Sequence, residues 1–175
     1  ERHGNFKNYI KAKFKLIQNQ SENNYAFVEN KNYFLNNLIK KNKIKSKIIR
    51  VNYEKYKKYY KQINNDYFKN ISNIKNLSFI FAISKNLKLS YKKIINVTNS
   101  FKQLDYRQQI IYNKKKLAII NDSKSTSLSS TTPLLESFNN IYWILGGIAK
   151  KGDKLNLKKE NFSKINAFIY GKDKF

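Results

Sequence analysis

The chain has 175 residues and a formal net charge of +25 at pH 7, with 36 lysines and arginines set against 11 aspartates and glutamates; this length accommodates one domain or parts of two. Cysteine and methionine are both absent, which excludes a disulfide framework or a cysteine metal site. The apolar runs, such as Leu77 to Ile83, fall well short of the roughly 20 residues of a membrane span.

In chain order, Asn5 to Gln20 reads as an amphipathic helix, too rich in lysine for a signal peptide. A cytoplasmic protein without a membrane partner is therefore expected, and the first residue, Glu1, makes an internal piece of a longer chain the expectation. Tyr25 to Val28 and Tyr33 to Leu35 read as short strands around the turn Asn30-Lys31-Asn32, and Lys47 to Val51 as a third. The stretch from Tyr53 to Asn70 is polar and repetitive and predicts no definite structure. Within it, Tyr53-Glu54-Lys55-Tyr56-Lys57-Lys58-Tyr59-Tyr60-Lys61 interleaves rings with cations, a pattern that suits stacking on single-stranded bases. Yet only Arg2, Arg50 and Arg107 among the basic residues are arginine, and base reading favours arginine. Asn, Ile, Tyr, Phe and Lys are all abundant and share A/T-rich codons, so a biased genome explains the charge as well.

Two helices follow, Asn73 to Asn86 and Ser90 to Phe101, the second with Ser90 as N-cap. Beyond Phe101 the pattern changes. Tyr106 to Tyr112 and Leu117 to Ile120 read as strands joined by the turn Asn113 to Lys116. A polar loop, Asn121 to Thr132, leads to a helix over Pro133 to Phe138, with proline in its first turn. Ile141 to Leu145 reads as a buried strand ending in Gly146-Gly147, and Ile165 to Tyr170 as another ending in Gly171. Strands alternating with helices predict an α/β fold, with a boundary near Gln103.

Three features point to chemistry. Phe6, Tyr9, Ile10, Leu16 and Ile17 share one helix face, with Lys13 in its middle. Such a lysine either snorkels to the surface or is neutralised, paired or modified. Asn121-Asp122-Ser123-Lys124-Ser125-Thr126-Ser127 leaves a strand end, where ligands bind in open α/β sheets; the alternative is a polar turn and helix cap. Leu145-Gly146-Gly147 before Lys150-Lys151-Gly152-Asp153 repeats the strand-then-glycine form, and glycine permits close backbone approach to a ligand.

Taken in this order, the features resemble the Mur ligase family. Arg2-His3-Gly4 and Tyr9-Ile10-Lys11-Ala12-Lys13 are similar to the segment following the family's metal-binding histidine. His3 lies too far along to be that ligand and reads as an ordinary polar residue. Asn73-Ile74-Lys75-Asn76 resembles the H-N-x-x-N element, with Ser72 in place of its histidine. Leu104-Asp105-Tyr106-Arg107 resembles the L-x-H-R hinge, with Tyr106 in place of histidine. Asp122-Ser123-Lys124-Ser125-Thr126 resembles the D-S-K-x-T loop of the D-glutamate-adding member.

The resemblance implies a fold: residues 1–103 as the latter part of a central ATP-binding domain, and 104–175 as the first part of a Rossmann-like C-terminal domain. It also implies roles. Lys13 would be a carbamylated lysine ligating Mg²⁺, with Tyr9 in support. Asn73, Asn76, Arg107 and Asp122 would contact ATP; Lys124, Thr126 and Lys150 would hold D-glutamate. The implied reaction phosphorylates the carboxylate of UDP-N-acetylmuramoyl-L-alanine with ATP and lets the D-glutamate amine attack the acyl phosphate, in an enzyme that is a monomer when complete. No G-x-x-x-x-G-K-[ST] loop occurs in these residues, so the chain alone is expected to be inactive. The readings from other classes are a basic nucleic-acid-binding module, and a sister ligase such as a folylpolyglutamate synthetase, against which the Asp122-to-Thr126 loop argues.

Overall fold

Asn5 opens the first helix, α1 (Phe6–Gln18), by accepting a hydrogen bond on its side chain from the Asn8 amide at 2.9 Å; this satisfies one of the donors left unpaired in any first helical turn. In the computed structural model, which describes residues 3–148 and 152–171, a strand β1 (Tyr25–Glu29) follows, then a helix α2 (Tyr33–Lys41) and a strand β2 (Lys47–Val51). β1 and β2 pair in parallel, from Tyr25 opposite Lys47 to Glu29 opposite Val51. Parallel neighbours need a crossover, and α2 supplies it.

The hairpin expected at Tyr33 to Leu35 is therefore a helix. Asn32 acts as its N-cap, accepting from the Leu35 amide at 3.0 Å, and the Asn36 side chain reaches back to the Asn30 carbonyl at 2.8 Å. A side-chain cap competes with a turn for the same asparagine chemistry, and here the cap prevails.

The chain divides into two compact units, Glu1–Ile63 with Lys75–Val97, and Asn64–Ile74 with Thr98–Phe175. In the first unit, Ala26 and Val28 on β1, Val51 on β2 and Phe14 on α1 are buried. The helix α4 (Ile71–Asn86) contributes Leu77, Phe81 and Ala82, and the helix α5 (Tyr91–Ser100) contributes Ile95. Before α4, the segment without a definite prediction forms a 3-10 turn at Tyr53–Tyr56, a one-turn helix α3 (Lys57–Tyr60) and a 3-10 turn at Asp66–Lys69. The turn Asp66–Lys69 belongs to the second unit; in the first, three tyrosine rings of the stretch face inward. Tyr56, Tyr59 and Tyr60 surround Phe81 at 5.6, 5.3 and 6.2 Å between ring centroids, and Tyr91 closes the cluster at 5.4 Å. Phe81 is 0% exposed.

The second unit holds an antiparallel pair, β3 (Gln109–Lys114) with β4 (Leu117–Asn121), and a parallel pair, β5 (Ile141–Gly146) with β6 (Ile165–Tyr170). β3 begins three residues later than expected, because Tyr106 (φ 62°) and Gln108 (φ 48°) adopt left-handed backbone that no strand accommodates. The helix after β4, α6 (Leu128–Leu135), begins at the cap Ser127, leaving Pro133 inside it rather than in its first turn. A one-turn helix α7 (Lys159–Phe162) precedes β6. β5 is not the buried strand expected, since Tyr142 is 69% and Ile144 75% exposed. No described helix is long and apolar enough to cross a membrane.

Candidate functional site

Of the residues expected to read a nucleotide and an amino acid, Asn73, Arg107, Asp122, Lys124 and Thr126 lie in the second unit, on three pieces: the first turn of α4, the hinge Leu104 to Gln108, and the loop after β4. Asn73 is buried, and its side-chain nitrogen donates to the Tyr67 carbonyl at 2.6 Å and to Gln108 Oε1 at 3.2 Å. Asn70 donates to the same Gln108 oxygen at 2.8 Å, while its own side-chain oxygen accepts from the Asn73 amide at 2.9 Å and so caps α4. The backbone N–H of Gln108 in turn donates to Asp122 Oδ1 at 3.0 Å.

Asp122 is half-buried at the end of β4 and held from its other side by Ser125, whose hydroxyl donates to Oδ2 at 2.7 Å and whose amide donates to the Asp122 carbonyl at 2.8 Å. The amide of Lys124 donates to the Tyr106 carbonyl at 2.9 Å, tying the loop to the hinge a second time. The side chains of Arg107, Lys124 and Thr126 are exposed. The hinge thus brings Asn73, Arg107, Asp122 and Lys124 into one hydrogen-bonded neighbourhood.

Gln108 and Ser125 do most of this joining, and neither stood out in the sequence. Gln108 carries no motif signal, and Ser125 occupies the variable position of the D-S-K-x-T pattern. Asp153 likewise carries no motif signal of its own. Its carboxylate accepts from the Leu128 amide at 2.6 Å, at the N-terminus of α6, where backbone donors and helix dipole favour an anion.

The donors and acceptors suit a nucleotide. A carboxylate has about four lone-pair sites; Gln108 and Ser125 occupy two at Asp122, which leaves acceptor capacity for sugar hydroxyls. An exposed guanidinium such as Arg107 matches phosphate oxygens. Metal binding is a different case. Among the described residues no three His, Cys, Asp or Glu side chains come together as a metal site, so no step is assigned to Mg²⁺.

Two expected residues belong to the first unit. Asn76 is exposed on α4. Lys13 is exposed as well, with its Nζ 5.6 Å from the centre of the Tyr9 ring. The buried face of α1 is centred on Phe14, with Ile10 and Ile17 beside it. The Phe6, Tyr9 and Leu16 side of the stripe is exposed, which takes Lys13 off the buried face on which the periodicity placed it. Lys150 lies outside the described residues. Gly146 does receive a close backbone approach, but from Tyr170 of the neighbouring strand rather than a ligand: a Cβ there would stand 2.5 Å from the Tyr170 carbonyl oxygen.

No family model matches the chain. Individual proteins do. The chain is 29% identical over 192 residues to the UDP-N-acetylmuramoylalanine–D-glutamate ligase of Rickettsia felis, a match covering 99% of this chain and 42% of that protein. It is 30% identical over 196 residues to the ligase of the same name from Rickettsia bellii, covering 99% and 43%. With that of Fusobacterium nucleatum subsp. nucleatum it shares 30% identity over 183 residues, covering 94% and 41%. The chain spans about two fifths of the length of these curated relatives. Aligned along nearly all of its residues with ligases of one name, the chain belongs to the Mur ligase family.

Proposed function

We propose that the protein carrying this chain is an ATP-dependent ligase of peptidoglycan synthesis that joins D-glutamate to UDP-N-acetylmuramoyl-L-alanine in the cytoplasm. The observation that carries the reading is the Asp122-to-Thr126 loop at the end of β4, in a chain aligned over 99% of its length with D-glutamate ligases. In this reading residues 1–103 belong to the central ATP-binding domain and 104–175 to the C-terminal domain. Asn73, Asn76, Arg107 and Asp122 serve ATP, whereas Lys124, Thr126 and Lys150 serve D-glutamate.

The chemistry balances in two steps. A carboxylate oxygen of the acceptor attacks the γ-phosphorus of ATP and ADP leaves; the D-glutamate amine then attacks the acyl carbon, loses a proton, and inorganic phosphate leaves. Arg107 supplies positive charge beside the phosphates, Asp122 accepts from the ribose hydroxyls, and Lys124 faces a D-glutamate carboxylate. Bound Mg²⁺ would offset phosphate charge, with a carbamate on Lys13 as one anionic ligand.

The test is amide formation by the purified full-length protein from UDP-N-acetylmuramoyl-L-alanine, ATP and labelled D-glutamate, with phosphate release followed in parallel. Equimolar amide and phosphate are expected with D-glutamate. Turnover with L-glutamate or a diamino acid instead, or none with any amino acid, would overturn the assignment. The 175 residues alone, which contain no G-x-x-x-x-G-K-[ST] loop, are expected to turn over no ATP.

A further inference from the structure

Gln108 bonds through its side chain to the start of α4 and through its backbone to Asp122. Its side-chain oxygen accepts from Asn70 at 2.8 Å and Asn73 at 3.2 Å, and its backbone N–H donates to Asp122 Oδ1 at 3.0 Å. Left-handed backbone at Gln108 (φ 48°) and Tyr106 (φ 62°) brackets Arg107. A non-glycine residue holds such a conformation only where surrounding interactions over-determine it, and the two asparagine amides supply that constraint.

We propose that Gln108 is a positioning residue for nucleotide binding: it locks the turn at Asn70 to Asn73, the hinge at Arg107 and the carboxylate of Asp122 into one body, so that affinity for ATP depends on its side-chain oxygen. The proposal rests on the reading of Asp122 as a nucleotide contact. Its logic is local. Without the Gln108 oxygen the amides of Asn70 and Asn73 lose a shared acceptor and the Gln108 end of the hinge loses its tether, while the Tyr106 end stays tied to Lys124. The Gln108 N–H then no longer meets Asp122 at a set place. Ser125 still holds Oδ2, so the carboxylate stays in the loop but swings about that single bond. Lys124 hangs from the Tyr106 carbonyl rather than from Gln108, so D-glutamate binding is insulated from the change.

The experiment compares Gln108→Gly, Gln108→Glu and Asp122→Ala in the full-length protein, with KM for ATP and for D-glutamate measured separately. Gln108→Gly accepts the left-handed backbone and removes the oxygen. Its KM for ATP is expected to rise roughly 3- to 10-fold, the worth of a neutral hydrogen bond, with KM for D-glutamate unchanged. Gln108→Glu keeps an acceptor oxygen at the same reach and is expected to restore the KM for ATP. Gln108→Met, which keeps the length without the acceptor, serves where the glycine variant does not fold. If Asp122→Ala raises the KM for ATP while Gln108→Gly and Gln108→Met leave it unchanged, or raise both KM values alike, the positioning role is overturned and the reading of Asp122 stands. If Asp122→Ala itself leaves the KM for ATP unchanged, that reading falls and the positioning role with it.

Discussion

Tyr170 lies so close over Gly146 that any side chain there collides with it: a Cβ would meet the Tyr170 carbonyl oxygen at 2.5 Å and two carbons of its ring at 2.8 Å. The two residues are register partners at the end of the parallel pair β5–β6. Gly146→Ala is therefore expected to destabilise the protein by about 1–3 kcal/mol, the usual cost of overpacking. Adding Tyr170→Ala removes the ring contacts but not the carbonyl, so it is expected to recover only part of the loss. Urea unfolding of the single and double variants checks both statements.

A second expectation concerns alkaline pH. Burial pushes the Tyr60 hydroxyl well above the usual 10.0 of tyrosine, and burial also raises Tyr56 and Tyr91. Above pH 10 the unfolded chain releases these protons while the folded chain retains them, so the unfolded state binds fewer protons and stability falls as pH rises. The stabilisation is fully present below pH 10 and declines from there upward. Tyr60→Phe is expected to flatten this decline. It also costs about 0.5–1.5 kcal/mol at neutral pH, because the Tyr60 hydroxyl donates to the Tyr53 carbonyl at 3.0 Å. Denaturant midpoints at pH 8, 10 and 11 decide it.

The turn of α2 gives a third. Asn32→Ala removes the oxygen that accepts from the Leu35 amide and is expected to cost roughly 1 kcal/mol. Asn32→Asp, which retains an acceptor, is expected to cost much less. A hairpin at this place would respond to neither in that order, so thermal unfolding of the pair distinguishes helix from strand.

These cases mark what is legible in the residues themselves. α1, β1, β2, α4, α5 and β6 follow from apolar spacing, which is a local property. α2 escapes a local reading because Asn30-Lys31-Asn32 is as good a turn as it is a cap, and only pairing with β2, whose first residue Lys47 lies well beyond the turn, settles which is used. The lysine–tyrosine stretch defied prediction for a similar reason: its rings are ordered by Phe81 and Tyr91, which lie far along the chain. Pro133 suits a helix start, yet the Ser127 cap, which accepts from the Ser130 amide, starts the helix earlier. At the candidate site Asp122 and Lys124 were visible as a motif, whereas Gln108 acts through its backbone N–H and one side-chain oxygen, and neither has a spacing signature.

The division of labour in the Asp122-to-Thr126 loop is a fourth prediction. Lys124→Ala in the full-length protein is expected to weaken D-glutamate, since a charge-assisted bond is worth about 1.5–3 kcal/mol. That corresponds to roughly a 10- to 150-fold rise in its KM. Asp122→Ala and Arg107→Ala are expected to raise the KM for ATP instead. A Lys124→Ala enzyme with impaired ATP use and unaltered D-glutamate use would refute this assignment of the loop.

For Lys13, the expectation is a carbamate in the full-length protein. The resemblance to the Mur ligases carries this expectation; the side chain itself is exposed beside Tyr9. Protein equilibrated with ¹³C-bicarbonate should show a carbamate carbonyl resonance that disappears in Lys13→Ala. A spectrum identical in both proteins would remove the carbamate from the proposed chemistry.

The left-handed residues on either side of Arg107 also reverse the ordinary rules of substitution. Valine, isoleucine and threonine, which strengthen a strand almost anywhere, would be the most disruptive replacements at Tyr106 and Gln108, although β3 begins immediately afterwards. Glycine and asparagine, which weaken strands, suit that backbone. A library randomised at these two positions and selected for folding would accordingly be enriched in the residues that a strand-based forecast discards.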